Sequence, residues 1–101
     1  MLPDNWTKII SRNGTDHLVY RPAAGGTIEV FDILVESTRG VGTGTSMLNE
    51  LIETEQPTRI TAVTRETNTL ANKFWRKNGF VGYMMPDFYP DGHAVMYIKC
   101  V

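Results

Sequence analysis

The sequence has little cysteine and no surplus of charge, and each shortage excludes a class of protein. A single cysteine among 101 residues, Cys100, excludes an internal disulfide and any cysteine-based zinc cluster. The 10 Lys and Arg residues against 11 Asp and Glu give a net charge of -1, which argues against binding nucleic acid by bulk charge. We therefore expect no metal site and no nucleic acid partner.

Long apolar runs are also missing. No run approaches the roughly 20 residues that a membrane span needs, and the first residues lack the charged-then-apolar pattern of a secretory signal. We therefore expect a cytoplasmic protein without membrane contact, and the low cysteine use fits a reducing compartment. The length accommodates one domain, 1–101, with one core.

The first third of the chain has the pattern of β-strands. Asn13-Gly14 is a hairpin signal, and it lies between the predicted strands Thr7–Arg12 and His17–Arg21. A longer strand is predicted over Thr27–Glu36, which is rich in β-branched and aromatic residues. Alternate side chains of a strand share a face, so we expect Ile28, Val30, Asp32 and Leu34 on one side and Glu29, Phe31, Ile33 and Val35 on the other.

Two helical segments follow, separated by a strand over Arg59–Arg65. The first helix carries an apolar stripe of Met47, Leu48, Leu51 and Ile52. The second begins at Asn68, a good N-cap, and ends before Gly79. Its predicted buried stripe consists of Leu70, Ala71, Phe74 and Trp75.

A final strand pair is predicted over Phe80–Met85 and Ala94–Val101, joined by a loop over 86–93. The element order is therefore βββ-α-β-α-ββ. Its strand–helix–strand unit implies one parallel pair with a right-handed crossover. The fold class is α+β, with a central mixed and mostly antiparallel sheet.

The loop before the first helix is rich in glycine and reads Arg39-Gly40-Val41-Gly42-Thr43-Gly44-Thr45. A helix N-terminus has unpaired N–H groups and a positive dipole, and glycines let a ligand approach closely, so this loop suits a phosphate or pyrophosphate. The loop fits neither the P-loop nor the dinucleotide fingerprint. A glycine-rich turn that binds nothing is the alternative.

Two segments resemble motifs of the GNAT superfamily of N-acetyltransferases. Arg39-x-x-Gly42-x-Gly44 resembles the acetyl-CoA pyrophosphate motif of that family, and the apolar residues of the following helix lie in the family's register. The run Asn68-x-x-Ala71-x-x-Phe74-Trp75-x-Lys77-x-Gly79-Phe80 is similar to its second characteristic segment. The resemblance covers roughly residues 27–101.

This resemblance implies a GNAT-like acyl-CoA fold whose sheet splays open between two parallel strands, with acetyl-CoA as co-substrate in the opening. The backbone of Ile33, Leu34 and Val35 would bond the pantetheine arm, and the amides from Val41 through Thr45 would hold the pyrophosphate. The implied coenzyme-binding residues are Ile33, Leu34, Val35, Arg39, Gly40, Val41, Gly42, Thr43, Gly44, Thr45, Asn68, Trp75 and Lys77.

The implied activity is transfer of an acetyl group to an amine by direct attack in a ternary complex. The backbone N–H near Val35 would stabilise the oxyanion, and Asp32 and Glu36 are the candidate bases, with a purely structural role as the alternative for each. The family often has a tyrosine acid where this chain has Trp75, whose indole N–H does not yield a proton near pH 7. Trp75 is thus interpreted as a packing wall of the cleft.

Other groups remain as alternatives. Tyr83 and Tyr89 are candidates to replace the missing acid. His93 lies with Asp91 in the last loop and is a candidate to act on the substrate, with an exposed turn residue as the alternative. Cys100 would need a neighbouring base to act as a nucleophile. The acceptor is a small-molecule or protein amine. A homodimer is a further hypothesis, with an interface formed by Met84, Met85 and Phe88. A non-catalytic acyl-CoA sensor or partner-binding module, and a phosphate-binding α/β module unrelated to CoA, are the competing functions.

Overall fold

The computed structural model describes residues 7–12, 14–35 and 42–101. Several residues that the sequence singled out lie outside these ranges, namely Asn13, Glu36, Arg39, Gly40 and Val41. Their predicted roles are therefore not part of the structural description below.

The described chain forms six strands and two α-helices in the predicted order βββ-α-β-α-ββ, which confirms the fold class. The elements are β1 Lys8–Arg12, β2 Asp16–Pro22, β3 Thr27–Leu34, α1 Thr43–Glu55, β4 Arg59–Arg65, α2 Thr69–Lys77, β5 Val81–Tyr89 and β6 Gly92–Cys100. Neither helix in this part of the chain is long and apolar enough to cross a membrane.

All six strands belong to one sheet in the order β1-β2-β3-β4-β6-β5. Every neighbouring pair is antiparallel except β3 and β4, which are parallel and connected through α1. The parallel pairing joins Thr27–Val30 to Arg59–Ala62 and extends no further. Beyond Val30 the two strands therefore separate, which opens the sheet at its centre.

Both helices pack on the same face of the sheet. Met47, Leu48 and Leu51 of α1 and Trp75 of α2 share one buried cluster with inward residues of the strands, such as Tyr97. Burying these side chains supplies most of the folding free energy, at about 25 cal/mol for each Å² of apolar surface removed from water.

A β-bulge in β3 overturns the predicted face assignment for that strand. Val30 pairs with Tyr20 and Asp32 pairs with Val19, so Phe31 is the extra residue between them. The bulge reverses the alternation beyond it. Ile33 and Val35 therefore pack against the helix-side core together with Val30, whereas Asp32 lies on the opposite face. The prediction of a shared face for Val30 and Asp32 was wrong, because period two holds only in an unbulged strand.

The buried stripe of α2 also differs from the prediction. Leu70 is 58% exposed, and the buried residues of this helix are Asn72 and Trp75. The Asn72 side chain can be buried because its amide nitrogen and oxygen both form hydrogen bonds, as described below. The predicted loop over 86–93 is mostly strand: β5 continues to Tyr89 through an irregularity at Asp87, which has a positive φ of 56°.

Candidate functional site

A cleft of about 300 Å³ lies between the end of β3 and the two helices, and we name it the helix cleft. It is lined by Ile33, Leu34, Val35, Gly42, Thr43, Gly44, Thr45, Asn68, Leu70, Ala71, Phe74 and Lys77. On the side of this cleft β3 has lost its parallel partner, because the pairing with β4 ends at Val30. An extended ligand can therefore bond to the β3 backbone as a missing strand would.

The N-terminus of α1 forms one wall of the helix cleft. Gly42 is the N-cap, with a left-handed φ of 80°, and no side chain in the described part of the chain caps the helix. No acidic residue lies in the first turn, so the positive end of the helix dipole is not neutralised locally. The first N–H groups of a helix have no intrahelical partners and are available to an anion.

Gly44 lets α1 approach α2 closely. A Cβ atom built on Gly44 would lie 2.8 Å from Cε1 of Phe74, which is too near for an undistorted contact. The two helices are further joined where Thr45 Oγ1 donates to Asn78 Oδ1 over 3.2 Å. The second glycine of the predicted motif therefore sets the helix–helix distance, whereas a Cβ on Gly42 would meet no atom within 4 Å.

The other wall depends on the turn between β4 and α2. Asn68 caps α2, since its Oδ1 accepts from the backbone N–H of Ala71 over 3.2 Å. The buried Asn72 stabilises the same turn: its Nδ2 lies 2.7 to 3.1 Å from the carbonyl oxygens of Arg65, Glu66 and Asn68. Asn72 in turn accepts a hydrogen bond from the fully buried Tyr97, with 2.5 Å between the oxygens.

A second cleft of about 180 Å³ occupies the gap between β3 and β4, and we name it the strand cleft. It shares Ile33, Asn68 and Ala71 with the helix cleft, so the two clefts meet inside the sheet. Its charged lining residues are Asp32 on β3 and Arg65 on β4. Among the described residues, Asp32 is the one carboxylate that lines either cleft.

The two charged residues of the strand cleft have partners outside it. Asp32 Oδ2 lies 3.1 Å from His17 Nε2, and the Asp32 side chain is 62% exposed. Arg65 donates to Asp91 over 3.1 Å and stacks over the ring of Tyr89 at 3.9 Å. The hydrogen bond from Arg65 lowers the pKa of Asp91, so this carboxylate stays ionised and keeps the guanidinium in place.

Trp75 is buried beneath the strand cleft with 2% of its surface exposed. Its indole N–H donates to Thr64 Oγ1 over 3.0 Å, and its ring makes edge-on contacts with Phe74 and Phe80 at centroid distances of 5.0 and 4.8 Å. The interpretation of Trp75 as a packing wall therefore matches its surroundings. It lines the strand cleft, not the helix cleft.

The other candidates lie away from the meeting point of the clefts. Tyr83 is exposed on the edge strand β5, and the ring of Tyr89 is covered by the guanidinium of Arg65. His93 accepts from the backbone N–H of Asp87 over 2.8 Å, so its partner is not Asp91. Cys100 pairs with Arg59 in the sheet register and is therefore at the far end of β4 from the clefts.

Sequence reasoning missed the residues that position the site. Asn72 is a buried polar residue of α2, and Thr64 is a buried polar residue of β4. The alternation of side chains along β4 is the signal that could have predicted an inward position for Thr64. Arg65 is the last residue of the strand predicted over Arg59–Arg65, and the strand pattern alone does not predict that it lines a cleft. Nowhere in residues 7–12, 14–35 and 42–101 do three or more His, Cys, Asp or Glu side chains form a group that could hold a metal ion.

Comparisons with known proteins identify the fold. No protein-family model matches the sequence, and no curated protein matches it. Solved structures do match. Ard1 from Thermoplasma volcanium has a TM-score of 0.76 at 21% identity, over 97% of this chain and 72% of that one. A GNAT family acetyltransferase from Elizabethkingia anophelis, with acetyl-CoA bound, has a TM-score of 0.78 at 15% identity, over 98% and 79%.

An acetyltransferase from Bacillus subtilis in complex with CoA has a TM-score of 0.78 at 16% identity, over 96% of this chain and 78% of that one. The described elements therefore have the fold of the GNAT acetyltransferases, as the motif resemblance implied. This chain spans about three quarters of the length of the three matched chains.

Proposed function

We propose that this protein binds acetyl-CoA in the helix cleft and transfers its acetyl group to an amine that enters through the strand cleft. The observation that carries the proposal is the meeting of the two clefts where β3 and β4 separate. One cleft has an acid-free helix N-terminus and the other has a carboxylate. Two of the matched structures hold acetyl-CoA or CoA, which supports the same assignment.

The residues of the helix cleft fit each part of the coenzyme. The backbone of Ile33–Val35 offers groups without a β4 partner to the amides of the pantetheine arm. The N–H groups of Thr43, Gly44 and Thr45 suit the pyrophosphate, because the helix dipole there favours negative charge. Lys77, exposed at the other wall, adds a cation beside the phosphates.

The chemistry requires little more than positioning and one proton acceptor. When bound, the coenzyme supplies an activated acetyl thioester. The nitrogen of the amine forms the new bond to the carbonyl carbon, the carbon–sulfur bond breaks, and the amine proton passes to Asp32 directly or through water. The backbone N–H of Val35 would donate to the developing oxyanion. The sulfur then leaves as a thiolate, with no acid required at Trp75.

A charge placed at the pyrophosphate position tests coenzyme binding without disturbing the fold. Thr43→Asp puts a carboxylate into the first turn of α1, where it favours the helix by about 0.3–1 kcal/mol through the dipole. We expect the dissociation constant for CoA, measured by titration calorimetry, to rise at least tenfold. The matched control is Thr69→Asp, which makes the same change in the first turn of α2. Equal CoA affinity in both variants would contradict the coenzyme assignment.

The role of Asp32 is tested by a pair of variants. Asp32→Asn removes the carboxylate. His17→Gln removes the imidazole that contacts Asp32 and leaves the carboxylate in place. We expect Asp32→Asn to lower kcat by roughly 100-fold or more with unchanged CoA affinity, since general bases contribute about that much. His17→Gln keeps the turnover. A similar loss in both variants would mean that the pair is structural.

A non-catalytic acyl-CoA sensor is the second candidate, and the environment of Trp75 favours it. The usual acid position holds a buried indole whose N–H is already bonded to Thr64. Incubation with labelled acetyl-CoA and a panel of peptide and small-molecule amines separates the two functions. Labelled amine supports the transferase, and CoA binding without any labelled product supports the sensor.

A further inference from the structure

The guanidinium of Arg65 is held in one orientation at the border of the strand cleft. Its Nη1 donates to Asp91 Oδ1 over 3.1 Å, and its Cζ lies over the ring of Tyr89 at 3.9 Å from the centroid. A planar guanidinium that stacks on an aromatic ring and bonds a carboxylate at one end has a fixed plane and direction. Arg65 is therefore oriented before any ligand arrives.

Most of the donors of this guanidinium remain available to a ligand. An arginine side chain has five N–H donors in a rigid fork. Within the described residues its one hydrogen bond runs from Nη1 to Asp91, so Nη2 and Nε keep their donors. The Asp91 side chain is 76% exposed, and water screens its charge, so this pair does not cancel the attraction of Arg65 for a second anion.

Asp32 and Arg65 lie on opposite walls of the strand cleft. The pairing of β3 with β4 ends at Val30 and Ala62. Asp32 lies two residues past that point on its strand, and Arg65 lies three residues past it. At about 3.3 Å per residue, the two side chains begin about one residue apart along the cleft. Arg65 follows the inward Thr64, so it shares with Asp32 the face opposite the helices.

We propose that the acceptor is a small amine that also carries a carboxylate, and that Arg65 binds this carboxylate while Asp32 takes the proton of the amine. The inference rests on the proposed acetyl transfer and adds the class of its acceptor. The fork of an arginine matches a carboxylate with two parallel hydrogen bonds. Arg65 thus selects the acceptor without contacting the reacting atoms.

The size and lining of the strand cleft fit this acceptor. Its volume of about 180 Å³ is below the roughly 300–1,000 Å³ of sites for drug-sized ligands, so a molecule of amino-acid size suits it. Phe31 and Val63 line the same cleft and remain partly exposed, which suits the methylene groups between an amine and a carboxylate.

The charges of the strand cleft complement a molecule with one charge of each sign. Among its described lining residues, Asp32 and Arg65 are the charged ones. A polyamine would bring a second ammonium group towards Arg65, where two like charges repel. An amine without an anionic group would leave the oriented guanidinium without a partner on the ligand.

Two substitutions in β4 form a matched pair. Arg65→Gln removes the guanidinium and keeps a polar side chain. Arg59→Gln makes the same change on the same face at the other end of the strand, where Arg59 donates to Thr27 and lines neither cleft. Both arginines are exposed, so circular dichroism should show that both variants stay folded.

The assay compares glycine, β-alanine and 4-aminobutyrate, each beside its own carboxamide, and measures thiol release from acetyl-CoA. For at least one acid we expect Arg65→Gln to raise KM about tenfold or more at unchanged kcat, because charge-assisted hydrogen bonds to the substrate are lost. KM for the matching amide should not change, and Arg59→Gln should change neither. Each ratio compares two proteins on one substrate, so the different basicities of the amines cancel.

The outcomes separate this proposal from the proposed function. If KM for the acids does not depend on Arg65, or rises equally for acids and amides, the proposal is overturned although acetylation itself supports the transferase. If no amine is acetylated, the transferase function fails and binding decides. Titration calorimetry of the CoA-loaded protein should then show that an acid binds the wild type, and binds Arg65→Gln about tenfold or more weakly. Equal binding by both proteins, or no binding of any acid, overturns the proposal.

Discussion

Replacing Tyr97 by phenylalanine removes one oxygen atom from the most buried polar contact beneath the clefts. Tyr97 has no exposed surface, and its hydroxyl donates to Asn72 Oδ1 over 2.5 Å. Asn72 uses its other end to bind carbonyl oxygens of the β4–α2 turn. The substitution therefore leaves a buried amide oxygen without this donor, while the ring continues to fill its place in the core.

The cost follows from the burial of the orphaned oxygen. A buried polar atom that loses its partner costs about 1–3 kcal/mol, and we expect about 2 kcal/mol for Tyr97→Phe. For a domain of this size each kcal/mol corresponds to roughly 4–8 °C, so the melting temperature should fall by about 8–16 °C. Thermal and urea unfolding followed by circular dichroism measure both quantities.

Two further variants make this reasoning refutable. Tyr83→Phe removes a hydroxyl from an exposed ring and should change the stability by less than about 0.5 kcal/mol. The double variant Asn72→Ala/Tyr97→Phe should lose less stability than the sum of its single variants, because both break the same contact. A loss below about 0.5 kcal/mol for Tyr97→Phe, or strict additivity in the double variant, would refute the account of this contact.

Three other outcomes are expected. Gly44→Ala should lower the free energy of unfolding by about 1 kcal/mol or more, although alanine has the better helix propensity, because the new Cβ would lie 2.8 Å from the Phe74 ring. If urea unfolding showed a more stable variant, the close packing of the two helices would be contradicted. Burial and the hydrogen bond to Glu55 raise the pKa of Tyr20 to about 12. The wild type should therefore lose stability as the pH rises from about 10 to about 12, because the unfolded tyrosine ionises first. Unfolding measured against pH should show that Tyr20→Phe lacks this part of the loss. Thr64→Val should cost about 1–3 kcal/mol by leaving the buried indole N–H without its acceptor, and an unchanged melting temperature would show that this bond contributes nothing.

Local patterns were sufficient for the elements and their order. Hydrophobic periodicity, the N-cap Asn68 and Gly79, with its left-handed φ of 89°, predicted the second helix and its end. The strand–helix–strand unit required a parallel pair at the centre of the sheet, and the motif register placed Gly42 and Gly44 at the start of α1. These features depend on residues that are neighbours in sequence or one helical turn apart, so the sequence contains them directly.

The residues that complete the site depend on contacts between distant segments. The bulge at Phe31 arises from the pairing of β2 with β3, and it moves Asp32 to the face opposite the helices. Asn72 is buried because Tyr97, 25 positions later, offers it a partner, and Leu70 is exposed because it borders the helix cleft.

The sequence by itself determined the fold class, the element order and the glycine-rich start of α1, because these follow from short-range periodicity and backbone preferences. Only the tertiary structure decided that the two clefts meet, that Asp32 is the described carboxylate that lines one of them, and that both helices pack on one side of the sheet. Those properties depend on strand register and on the side of the sheet that each helix covers, and both are set by packing between segments that are far apart in the chain.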